Sequence, residues 1–125
     1  MKGKTILLAA GLLFAFGTAG VTAAEFFHFA LTGSAPEADA TVAAPGEVRL
    51  WFTEAPEGNT VGIRLIRDGA AVPTSEVAAD PENVAVFFVK PAAPLAAGSY
   101  TVSWRGIGDD GHPVTGDFAF SVTAQ

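Results

Sequence analysis

Residues 95–122 read LAAGSYTVSWRGIGDDGHPVTGDFAFSV, and their patterning decides the fold class. Tyr100, Val102 and Trp104 alternate with Thr101, Ser103 and Arg105. After a turn-rich connection, Phe118, Phe120 and Val122 alternate with Asp117, Ala119 and Ser121. A strict period of two places one apolar row and one polar row on opposite faces of a strand. The Gly, Asp and Pro cluster between them is turn chemistry, so the stretch predicts two strands over 99–105 and 117–122.

The same pattern extends upstream. Val48, Leu50 and Phe52 alternate with Arg49 and Trp51 in a strand over 47–52, and Val61, Ile63 and Leu65 share one face of a strand over 61–67. Asp68-Gly69 then supplies the positive backbone angles of a tight turn into a short strand over 71–75. Residues 84–89 are apolar on both faces, as a central strand covered on each side would be, and Lys90-Pro91 ends them. A first strand is expected over 29–34. Turn signals every 8 to 12 residues or so, with no helical stripe, predict an all-β, seven-stranded, immunoglobulin-like Greek-key sandwich. Leu95 to Tyr100 suits the corner in which a buried Tyr hydroxyl pins the chain ahead of its strand. Trp51, Trp104 and the phenylalanines are assigned to packing.

The chain opens with the layout of a secretory signal. Lys2 and Lys4 precede an uncharged, mostly apolar run over 5–19, and Val21, Thr22, Ala23 and Ala24 supply the small residues that cleavage requires. A cleaved leader is expected over 1–24 and a single domain over 25–125, without membrane insertion of the mature chain. Removing Lys2 and Lys4 takes the formal charge from −6 to −8. Such a balance repels phosphate backbones and argues against nucleic acid as a partner.

Cysteine is absent and Met1, the only methionine, leaves with the leader. Neither thiolate nor thioether is then available, so any chemistry rests on His and carboxylates. No nucleophile and base pair stands out, and catalysis is not expected. Strand polarity brings His28, at the start of the first strand, to the same end of the sandwich as Glu54 and the connection carrying Asp109, Asp110 and His112. Two imidazoles with carboxylates suit Cu(II), Ni(II) or Zn(II), and Cu(II) binds such sets most tightly of the three. Asp110-Gly111-His112 is also ordinary loop chemistry, and His28 and Glu54 taken singly read as surface residues.

Three stretches carry a family likeness: LTGSAP at 31–36, VRLWFTE at 48–54, and LAAGSYTVSWR at 95–105 followed by DGHPVTG at 110–116. On these residues the chain resembles the CopC family of periplasmic copper-resistance proteins, from His28 to Val122. The resemblance implies a periplasmic, monomeric Cu(II) carrier or buffer beside an inner-membrane CopD-type copper transporter. It also implies metal ligands at His28, Asp110 and His112, with Glu54 as an auxiliary. His28 lies eight residues before Pro36, which is the family's spacing.

In the family the first histidine is the mature N-terminus and gives its amine as well as its ring. Here Glu25, Phe26 and Phe27 precede it. Either two imidazoles and a carboxylate are completed by water or Glu54, or this member binds copper weakly. The alternative reading is an envelope β-sandwich, a structural or interaction module that has lost tight metal binding.

Overall fold

The computed structural model describes residues 28–124, and the expected leader and its cleavage site lie outside the described residues. Among the described residues the chain forms nine strands and no helix: β1 (Leu31–Ala35), β2 (Thr41–Val42), β3 (Val48–Phe52), β4 (Gly62–Arg67), β5 (Ala70–Val72), β6 (Ala78–Asp80), β7 (Asn83–Val89), β8 (Gly98–Ile107) and β9 (Pro113–Val122). They build two sheets, ordered β1-β3-β7-β6 and β2-β9-β8-β4-β5. This is the expected sandwich, with seven anticipated strands and two more. β2 pairs in parallel with the end of β9, and β6 adds an edge to β7. Both are too short for a period of two to register.

The alternating rows face as their sequence dictates. Val48, Leu50, Phe52, Ile63, Leu65, Val89, Tyr100, Val102, Trp104, Phe120 and Val122 meet in one core between the sheets. Phe52 is its aromatic hub, with Phe29 stacked on it at 4.7 Å and Trp104 edge-on at 5.4 Å between ring centroids. Burying each large side chain is worth about 1.5–3 kcal/mol, so these residues dominate the fold's stability. Two local expectations hold in detail. Asp68 and Gly69 take φ of 52° and 79° and close the β4–β5 hairpin, and the Tyr100 hydroxyl donates to the Ala96 carbonyl at 2.6 Å.

One packing assignment is corrected. Trp51 lies on the outer face of its sheet and is 36% exposed, because the parity that buries Leu50 and Phe52 turns it outward. On the same outer face Arg49 lies over the Phe88 ring, 4.7 Å from guanidinium carbon to centroid, and bonds both Glu47 and Asp80. Arg49 thereby ties β3 across β7 to β6. The Glu82 backbone N–H, followed by Arg49, holds the Asp80 carboxyl below its ordinary value of 3.8. A lowered value means that the ionised form stabilises the fold above the ordinary pKa, and that this contribution fades as pH falls through the folded value. Asp80→Asn should therefore be less stable than the parent at neutral pH, with the gap closing below about pH 4 in urea titrations. A gap undiminished at about pH 2 would assign the effect to something other than the charge.

Candidate functional site

The β8–β9 hairpin runs further than alternation alone suggested, so only residues 108–112 separate the two strands. The turn closes through the Gly111 N–H, which donates to the Gly108 carbonyl at 3.0 Å while Gly111 takes a φ of 82°. A side chain at Gly111 would be strained in that backbone region. Asp110 folds back over its own turn: Oδ1 accepts the His112 N–H at 3.0 Å, and Oδ2 lies 3.5 Å from His112 Nδ1. The His112 N–H, reinforced by the His112 and His28 rings, holds the Asp110 carboxyl below its ordinary value. The anionic form of Asp110 is thereby favoured.

The other two candidates arrive from the opposite sheet. Glu54 leaves the end of β3 and reaches the hairpin, with its Oε2 3.2 Å from where a Cβ on Gly108 would stand. Asp110 Oδ1 is 3.5 Å from the same point, so two carboxylates converge over a residue without a side chain. Ahead of β1, Phe29 is buried against Gly106 and Gly108, where added Cβ atoms would stand 2.7–2.8 Å from it. This packing delivers His28 to the same end.

All four residues singled out in the sequence therefore share one end of the sandwich, two from each sheet. They are not pre-assembled: among the described residues no three His, Asp or Glu side chains are already drawn together as a metal-holding group. The His112 side chain is 80% exposed. What the arrangement offers is nitrogen and oxygen donors on a partly solvated, acidic rim.

Sequence reasoning missed two supports of the site. One is the pair Gly106 and Gly108, whose bare backbones receive Phe29. The other is Thr53, whose hydroxyl donates to the His28 carbonyl at 3.0 Å and accepts the Ala30 N–H at 3.0 Å. A Gly in a strand invites the thought of a close approach, but nothing in a lone Thr beside Glu54 points to a contact with residues 28–30.

Residues 31–123 match the CopC domain, and the chain belongs to the CopC family. Among its relatives is the copper resistance protein C of Escherichia coli, 35% identical over a 113-position alignment that covers 82% of this chain and 87% of that protein. The crystal structure of PcoC, a methionine-rich copper resistance protein from Escherichia coli, superposes with a TM-score of 0.70 at 33% identity, covering 77% of this chain and 99% of that one. The crystal structure of CopC from Methylosinus trichosporium OB3b superposes at 0.71 and 29% identity, covering 78% and 96%.

Proposed function

We propose that this protein is a periplasmic Cu(II)-binding protein of copper resistance, a carrier or buffer and not a catalyst, which works beside an inner-membrane CopD-type transporter. The observation that supports it most is the gathering of His28, Asp110 and His112, with Glu54, at the end of the sandwich where Asp110 is kept ionised. Asp110 and the two imidazoles are the ligands, and Glu54 or water completes the set. Relatives named for copper resistance agree with the reading.

Oxidation state follows from the donor chemistry. PcoC is described as methionine rich, whereas Met1 is the only methionine here and cysteine is absent. Imidazole and carboxylate donors favour Cu(II), while Cu(I) seeks soft sulfur. The test is a titration of the purified protein with each ion against a competing chelator. One equivalent of Cu(II) should be retained and Cu(I) surrendered. Equal retention of both ions, or loss of Cu(II) to a weak chelator, would count against the proposal.

The exported chain is further proposed to begin at Ala24 or Glu25, where small residues give way to Glu25-Phe26-Phe27. Intact mass of the periplasmic protein reads this directly. A mass that starts at His28 would refute it and would restore a free amine to the ligand set.

A further inference from the structure

His28 is a proposed ligand that lies outside every strand. It lies ahead of β1, whose ladder to β3 begins at Leu31↔Phe52 and is irregular between Leu31 and Gly33. Phe29 is anchored by burial on Phe52, but a buried ring at residue 29 leaves the backbone of residue 28 free to swing about it. Thr53 removes that freedom. Its N–H donates to the Ala30 carbonyl at 2.8 Å, its hydroxyl accepts the Ala30 N–H at 3.0 Å, and the same hydroxyl donates to the His28 carbonyl at 3.0 Å. One residue thereby grips the chain on both sides of Phe29.

We infer that Thr53 is a positioning residue that sets the direction in which His28 presents its imidazole toward Asp110, an inference that rests on the copper-binding reading above. The grip acts on the His28 carbonyl and on Ala30, not on an N-terminal amine. It therefore fixes the backbone from which the ring projects, whatever residues precede it. Thr53 also adjoins Glu54, so the end of β3 supplies both an auxiliary carboxylate and the clamp. The hydroxyl lies at the surface, where each hydrogen bond contributes only about 0.5–1.5 kcal/mol. Its consequence is directional, since a ligand whose backbone is displaced must be reordered before it reaches the metal; losing one to two such bonds corresponds to roughly a 2–100-fold change in affinity.

The experiment compares the parent with Thr53→Val, which keeps the branched shape but loses the hydroxyl, and with Thr53→Ser, which keeps the hydroxyl. In metal-free protein, amide hydrogen exchange at Ala30 should quicken in Thr53→Val and return toward the parental rate in Thr53→Ser. With Cu(II), Thr53→Val should bind more weakly, by roughly 2–100-fold for the loss of one to two hydrogen bonds, and show the nitrogen coupling of one imidazole in place of two, again restored by Ser. Unchanged exchange at Ala30, or a Thr53→Val protein with parental affinity and parental spectrum, would overturn the positioning role. A parent protein that binds no Cu(II) would refute the metal reading itself. In that case altered exchange at Ala30 would show a clamp without a ligand to position, and the inference would fall with the reading.

Discussion

Changing Trp104 to alanine should cost about 3–5 kcal/mol, a large part of the stability of a domain this size. The indole is 7% exposed and meets Phe52 edge-on. Its far side lies against the backbone of Gly116, where a Cβ would stand 2.7–2.9 Å from the ring atoms. A hole opened there lies on β8, an inner strand of the five-stranded sheet that is paired on one side with β4 and on the other with β9. Neighbours therefore cannot close it without shifting strands. Melting followed by circular dichroism should show a fall of well over 10 °C, at about 4–8 °C per kcal/mol. A loss below about 1 kcal/mol would mean that the indole is not part of the packed core.

The second large effect concerns the ligands. A double His28→Ala and His112→Ala variant should lose Cu(II) affinity by on the order of 100-fold or more, since direct ligands matter at least as much as the contacts that orient them. Neither ring belongs to the core cluster, so the variant should melt close to the parent in the absence of metal. His112→Ala alone should weaken binding more than Glu54→Ala, which removes only an auxiliary carboxylate. Protons compete with metal for imidazole nitrogens, so parental affinity should decline on acidification. Asp110, held below its ordinary pKa by the His112 N–H, keeps its carboxylate available to the metal at neutral pH. Parental affinity in the double variant would remove both histidines from the site.

Much of this was legible because strands write their faces into the sequence. The alternation through Tyr100–Val102–Trp104 and Phe118–Phe120–Val122 is the pattern that β8 and β9 bury, and Asp68-Gly69 dictated its turn. Strand polarity was enough to bring His28, Glu54, Asp110 and His112 to one end. The rest depends on contacts between distant residues that leave no local period. β2 is held by β9 and β6 by β7, and neither carries a pattern of its own. Trp51 was assigned to packing by its type, although its parity with Arg49 already placed it outside. Thr53 acts on residues more than twenty positions away, and its role emerges only once β1 is seen beside β3. The exact donor set was equally hidden, since it turns on exposed rotamers and not on patterning.

On the proposed reading, this end of the sandwich holds one Cu(II) through two imidazoles and a carboxylate. Electron paramagnetic resonance during a Cu(II) titration of the exported protein at neutral pH addresses it most directly. A single species that saturates at one equivalent, with couplings from two imidazole nitrogens that vanish in the His28 and His112 double variant, is the predicted result. A spectrum of hydrated Cu(II) alone, or nitrogen couplings that persist in the double variant, would contradict it.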